Sequence, residues 1–389
     1  MAQSKTNKTL KSDEFDSIVI GGGLSGLIAA HLLEGTGRKV ALVEALDVLG
    51  GSYRPTSSKA GILDHGFKFL PATREAEETI AWLETVLGEK IPYEIVEAPP
   101  VTYDDGKFKP FIGFGDNKVG SAGEVDAYAK DRYLRLSSTP KDWVPKLAAS
   151  FTGALFMQSY ITKMQVDDEF VIEILVNGAK RLSGREVLFC ATPQQLTRFL
   201  PDAKVPGKLR QRLLKGDFWT SIKLDLIHSG EVTASEAVHI LKGANEEPCV
   251  GLFQKPVTLE NGTQAQVSQW LTFVPRDITD DSELVASALK QIKRQVKRAY
   301  ENSLDSLIQE RIVVSPTSHG DLTGFMPEDG KWPKLQNLWV ISSFLDPAKN
   351  MLGALRQTRR TIAAIAGEPL LQIDHDSDLS TGGTHPTSF

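Results

Sequence analysis

Apolar residues first gather at Phe15-Asp16-Ser17-Ile18-Val19-Ile20, a short run that stops at three glycines, Gly21 to Gly23. From Leu24 to Glu34 the spacing changes. Leu24, Leu27, Ile28 and Leu32 recur at the interval of one helix face, and Gly35 and Gly37 end the pattern. Lys39 to Val43 is a second continuous run. Strand, helix and strand within about thirty residues predict a βαβ unit, with parallel strands and a right-handed crossover.

Further along, Glu75 to Leu87 reads as an amphipathic helix, and residues 100–120, punctuated by Gly, Pro and Asp, as short hairpins. Helical patterns are expected over Glu124 to Leu136 and, loosely, Trp143 to Tyr160. Phe170 to Val176 and Arg185 to Ala191 are strand candidates, the latter closed by Thr192-Pro193. Gln194 to Leu214 is helical with a proline break. Ser221 to Ile227 alternates like a half-buried strand, residues 236–275 suggest several antiparallel strands, and Asp281 to Tyr300 a long amphipathic helix. Leu338 to Ile341 is a last buried strand and Gly353 to Ala366 a last helix. The ends, 1–14 and 374–389, are polar, aperiodic and expected to be disordered.

Composition narrows the function classes. The chain has 389 residues, a length that favours two compact units, with 41% hydrophobic and 24% charged residues, as in ordinary globular proteins. Forty-four basic and 49 acidic side chains leave a net charge of −5, which argues against nucleic-acid binding through a basic face. Two cysteines, Cys190 and Cys249, make neither a disulfide framework nor a metal spacing. No signal-like segment and no run of some twenty apolar residues occurs, so no membrane span is expected and the cytoplasm is the expected compartment.

The glycines carry the first chemistry. Gly21, Gly23 and Gly26 fit G-x-G-x-x-G. One glycine permits the tight turn, one lets the backbone approach a diphosphate, and one lets helix and strand pack closely. The following helix turns its free N–H groups and positive end toward the anion. Glu44 stands about 18 residues beyond Gly26, at the end of the second strand, where an acid binds the hydroxyls of an adenosine ribose. Leu49-Gly50-Gly51 and Ser52-Tyr53-Arg54 then supply a second glycine turn beside a basic side chain.

Asp16 to Gly51 resembles the N-terminal signature of the FAD-dependent amine oxidase superfamily, which includes monoamine and polyamine oxidases, phytoene desaturases and protoporphyrinogen oxidase. Asp64-His65-Gly66 is similar to the Asp-x-Gly that follows it, and Val187 to Pro193 to the family's strand with Ala-Thr-Pro. Ile161 with Met164 resembles the apolar pair before a hairpin beside the adenine. Asn337 to Ala364 stands where the family places its flavin-binding strand and helix, and Gly353-Ala354 matches the Gly-Ala at that helix start. The resemblance implies FAD, expected to be noncovalent because no Cys or His stands at the C-terminal flavin loop where some members attach it, and an α/β fold: a discontinuous Rossmann-like FAD-binding domain from 15–75, 150–200 and 330–370, with an α+β substrate domain on a mixed sheet from 76–149 and 201–329. The cofactor contacts it implies are Gly21, Gly23, Leu24, Ser25, Gly26, Glu44, Ala45, Gly50, Gly51, Ser52, Arg54, Ile161, Ala191, Ser343, Gly353 and Ala354. Two departures stand out. Ser342-Ser343 replaces the usual Gly-acid pair, Asp346 being the nearest acid to take its place, and Ser52 stands where many members have arginine.

Only one dinucleotide fingerprint is visible, which favours an oxidase or desaturase over a nicotinamide-linked reductase. Lys223, in Phe218 to Asp225, resembles the lysine that many amine oxidases hold near the flavin to order a water; the alternative is a lysine on the wet side of a strand, paired with Asp225. His65 is expected to pack locally, and His228 and His239 to be structural. Trp270 and Phe273, three apart, face opposite sides of a strand. The implied reaction removes a hydride from an amine or a C–H bond of a small molecule, or of a protein side chain, and passes electrons to oxygen or another acceptor. A redox-neutral mutase, a flavin-dependent protein-maturation enzyme and a binding protein of the GDP dissociation inhibitor type are the alternatives.

Overall fold

The computed structural model describes residues 12–66, 68–115, 120–243, 246–276 and 281–367. The C-terminal tail from Asp374 and residues 1–11 of the N-terminal one lie outside them. Asp13 and Glu14, expected in that tail, instead begin strand β1 (Asp13–Ile20), where they pair with Leu182 and Ser183. Backbone hydrogen bonding to a neighbouring strand outweighs their polarity.

The βαβ unit forms as the pattern predicts. β1 leads through helix α1 (Leu24–Gly35) to strand β2 (Val40–Val43), which lies parallel to it. Strand Lys180–Phe189 flanks β1 on the other side, also parallel, and Ala154–Phe156 extends the sheet beyond β2. Hairpin strands Ile161–Asp167 and Phe170–Val176 add an antiparallel edge, and Leu338–Val340 joins Lys180–Phe189. Alternation divides these strands between two cores. Val19, Leu42 and Leu188 point to one face, Ile18, Ile20, Ala41, Val43, Val187 and Phe189 to the other. Because both faces are buried, the strands read as unbroken apolar runs.

Covering both faces takes more helices than the sequence assigned to this domain. Helix α2 (Arg74–Leu87) and helix Pro140–Ser150, expected with the substrate domain, set Trp82, Leu83, Trp143 and Leu147 into the same core as α1 and helix Met351–Ala366. Helix Gly207–Lys215 likewise packs Leu209 and Leu213 on the opposite face with Ile20 and Phe189. Each carries an apolar stripe that only this sheet can bury. Two element expectations are also corrected. Glu124 to Leu136 is a short helix, Ala122–Asp126, and then a strand, Arg132–Leu136, zipped to Tyr93–Glu97. The helix expected to reach Tyr160 ends at Ser150, before the edge strand beside β2.

The second domain is built on an eight-stranded mixed sheet ordered Leu307–His319, Trp219–Ser229, Gln264–Pro275, Cys249–Phe253, His239–Leu241, Val101–Asp104 and Lys107–Pro110, with Val257–Thr258 beside Gln264–Pro275. Trp219–Ser229 is a central strand, and every residue from Thr220 to His228 is buried. The expected wet face does not exist. Leu224 and Leu226 pack with Trp270 under Ile292 and Val296 of helix Ser282–Ala299, while Phe273 joins a different cluster with Phe69 and Tyr128. Among the described residues no helix is long and apolar enough to cross a membrane.

Candidate active site

The turn between β1 and α1 is shaped by two close approaches. Gly21 holds φ +104°, with the Cys190 carbonyl 3.1 Å from where a β-carbon would stand; at Gly26 that carbon would lie 1.9 Å from the Gly21 oxygen. Gly23 differs: its nearest such neighbour is the Gly50 oxygen at 4.0 Å, so its flank is open. The second glycine turn is bonded to the first, Gly50 N donating to Gly22 O at 2.7 Å. α1 begins at Gly23 with no side-chain cap and no acid in its first turn, leaving its terminal N–H groups free for an anion.

Glu44 is buried beside this turn. Its Oε2 accepts from Gly22 N at 2.6 Å and its Oε1 from Leu46 N at 2.8 Å. Each carboxylate oxygen keeps a further lone pair, and Glu44 lines the adjoining cavity, so the acid is fixed in orientation while still able to accept from two ribose hydroxyls.

That cavity, about 670 Å³, runs from Glu44 past the glycine turn to Lys223 on the central strand of the other domain. Gly21, Gly23, Leu24, Ser25, Glu44, Ala45, Gly51, Ser52, Arg54, Ile161, Ala191, Ser343, Ala354 and Lys223 line it. Three expected contacts do not. Gly26 is filled by the Gly21 carbonyl, Gly50 lies behind the turn against Arg54 and Val144, and Gly353 backs onto Asp346, 3.3 Å from where its β-carbon would stand. Asp346 does not face the cavity either. It is fully buried, accepts from Ala348 N at 3.0 Å and pairs with Arg356 at 3.3 Å and Arg360 at 3.4 Å, so this acid pins the loop before the last helix.

Lys223 is buried, its stem laid against Gly66 and its Nζ donating to Ser315 Oγ at 3.3 Å. Burial, reinforced by the nearby Lys68 cation, holds its ammonium well below the usual lysine range. Asp225, the expected partner, is engaged elsewhere: it accepts from Arg311 Nε at 2.9 Å and Nη2 at 2.5 Å, and from Gln269 Nε2 at 3.0 Å. Arg311 also donates to the carbonyls of Thr56 at 3.0 Å and Asp64 at 2.5 Å, tying the corner that carries His65 to the second sheet. Asp64 in turn accepts from Thr139 Oγ1 at 2.6 Å and Lys141 N at 2.8 Å.

Several lining residues had no signal in the sequence. Lys68 donates to the carbonyls of Ser52 at 3.0 Å and His65 at 2.9 Å and rests over the Tyr53 ring at 4.6 Å; burial lowers it to about 8. His319 lies 2.9 Å from Ser318 Oγ and 3.3 Å from Tyr128 Oη, edge-on to Phe273. Burial and the neighbouring cations depress both His65 and His319 to about 3, so both rings are neutral near pH 7. His228, between Ser303 O and Ser268 Oγ, and His239, against Tyr300 Oη at 2.6 Å, are outside the cavity.

Residues 19–85 match the family model described as an NAD(P)-binding Rossmann-like domain. The flavin-containing amine oxidase B of Homo sapiens is 34% identical over 104 residues, 26% of this chain and 19% of that protein, so the chain matches about a fifth of its curated relative's length. Across the whole fold, an oxidoreductase from Methanosarcina mazei superposes with a TM-score of 0.64 at 12% identity, covering 90% of this chain and 99% of that one. A redesigned putrescine oxidase gives 0.62 at 13% identity, covering 92% and 100%. The likeness to the solved structures shows the fold, and within it residues 19–85 form a Rossmann-like dinucleotide-binding domain.

Proposed function

We propose that the protein is a FAD-dependent oxidoreductase that binds its cofactor noncovalently and removes a hydride from a small-molecule substrate. The observation that carries this reading is one continuous cavity with Glu44 and the free head of α1 at one end and the buried Lys223 at the other. The residues present suit the cofactor. The open flank of Gly23 leaves room for a diphosphate, the Arg54 guanidinium lines the same cavity and would supply its counter-charge, and Glu44 would accept from the ribose. Ser342 and Ser343 line the wall where related proteins carry an acid, and would offer hydroxyls to the ribityl chain.

When bound, FAD supplies a two-electron acceptor for the hydride and hands those electrons on to oxygen or another acceptor. The chain's own contribution is position and electrostatics. Lys223, kept short of protons by burial, can hold a water through its lone pair at the place where Ser315 already meets it. His65 and His319, neutral, shape the wall without adding charge.

The test is the visible spectrum of the purified protein, then anaerobic reduction by candidate substrates and reoxidation in air. The reading expects flavin colour that trichloroacetic acid releases, bleaching by a substrate and recovery with oxygen. Lys223→Met should slow reoxidation far more than reduction. Substrate conversion without net bleaching or acceptor turnover would instead favour redox-neutral chemistry.

A further inference from the structure

We infer that the Lys223 end of the cavity receives an organic oxyanion, a carboxylate or a phosphate ester, rather than an ammonium group. This rests on the oxidoreductase reading above and deepens it by naming the substrate's charge.

The sign of the wall is the first argument. Among the described residues that line the cavity, Lys68, Arg198 and Lys349 are basic besides the Arg54 given to the diphosphate, Lys349 being paired with Asp321 and Lys223 kept from protonation by burial, and Glu44 is the single carboxylate. Glu44 stands at the far end and already accepts two backbone N–H groups. A cleft lined by one sign of charge concentrates ligands of the other sign, and its low-dielectric walls strengthen the effect.

The acids near Lys223 are turned away from the cavity and engaged. Asp225 is held by Arg311 and Gln269, Asp64 accepts from the Thr139 hydroxyl and the backbone N–H of Lys141, and Asp321 accepts from the Lys349 ammonium at 3.3 Å. None of the three lines the cavity. An ammonium group placed here would meet no carboxylate on the wall around it and would lie among the cations that add to burial in lowering His65 and His319.

Lys68 is the group placed to receive the anion. Two of its N–H bonds go to the carbonyls of Ser52 and His65, which fix the ammonium on the cavity wall, and the third has no acceptor among the described residues. A fixed ammonium with one unused donor, on a stretch of wall with no lining carboxylate beside it, is a binding group for an oxyanion.

The experiment uses the full chain as purified, titrated calorimetrically at pH 7 with four ligands sharing one ring: benzoate, phenyl phosphate, benzyl alcohol and benzylamine. At least one of the two anions is expected to bind tenfold or more tighter than benzyl alcohol, with benzylamine weakest; which anion leads decides between carboxylate and phosphate. Lys68→Met should abolish the tenfold preference and leave benzyl alcohol binding as it was, and Lys68→Arg should restore it. Benzylamine binding tightest, or anions no better than the alcohol, would overturn the inference, as would an anion preference that survives in Lys68→Met. The two readings fail separately. Colourless protein that still prefers an anion sinks the cofactor reading, whereas a yellow protein that prefers the amine sinks this one.

Discussion

Lys223 crosses Gly66 so closely that a β-carbon at Gly66 would stand 2.5 Å from Lys223 Cδ. Gly66 holds φ +76°, a conformation that side chains rarely adopt. The corner after His65 and the central strand of the second sheet therefore meet through a bare backbone. This contact sets where the lysine's amine sits in the cavity.

Gly66→Ala should accordingly cost about 1–3 kcal/mol from backbone strain, and more if the lysine stem cannot move aside. Urea denaturation gives the loss, and stopped-flow reoxidation of the reduced protein should slow alongside it. A variant as stable as the parent with unchanged reoxidation would mean that the corner and the lysine are independent.

Lys223 has a stability signature of its own. Its folded value lies well below that of a free lysine, so between the two the unfolded chain binds the extra proton and stability rises with pH. Lys223→Met removes the cost of keeping a buried amine. The variant should be more stable than the parent at pH 7, with the advantage shrinking as pH approaches 10. Denaturation midpoints at both pH values check the sign; an advantage that grows with pH would contradict it.

His319 responds at the acid end. Its ring stays neutral down to about pH 3, whereas the unfolded chain takes up a proton near pH 6.5. Between these values its contribution is lost as pH falls, at roughly 1.4 kcal/mol per pH unit. His319→Gln should flatten the stability profile between pH 6 and 4. Parallel profiles for parent and variant would rule out this role.

The polar face of Trp219–Ser229 shows where the sequence stopped being legible. Ser221, Lys223 and Asp225 alternate with Ile222, Leu224 and Leu226, and period two correctly separates the faces. It does not say what covers the polar one, which is the cavity and the His65 corner rather than solvent. Lys68 and His319 were invisible for a related reason. Lys68 sits on a loop with no periodicity. His319 lies beyond a two-residue shift of register between the Ser221–Ser315 and Trp219–His319 pairs, where Thr317 adopts φ +45°. The glycine turn was readable because its chemistry is largely local: Gly26 and Glu44 owe their identities to contacts within one βαβ unit, and Gly21 to its own positive φ as well as to the distant Cys190 carbonyl.

Arg311 and Asp225 form a buried pair that binds the same corner from behind. Arg311→Met leaves the Asp225 carboxylate buried without its cation and should cost about 3–5 kcal/mol. Adding Asp225→Leu should return a large part of that loss. Chemical denaturation of the single and double variants checks both steps, and a double variant as weak as Arg311→Met alone would show that the carbonyl contacts to Thr56 and Asp64, rather than the orphaned charge, carry the effect.

The most direct measurement strips the protein of flavin and titrates it with FAD and with FMN, in the parent and in Glu44→Gln. If the adenosine half is held by Glu44 and the diphosphate by the head of α1, FAD binds with a shifted visible spectrum, FMN binds far more weakly, and Glu44→Gln loses about tenfold or more of the FAD affinity, in keeping with a charged hydrogen bond of some 1.5–3 kcal/mol. Protein that takes up neither flavin, or that binds FMN as well as FAD, contradicts the account.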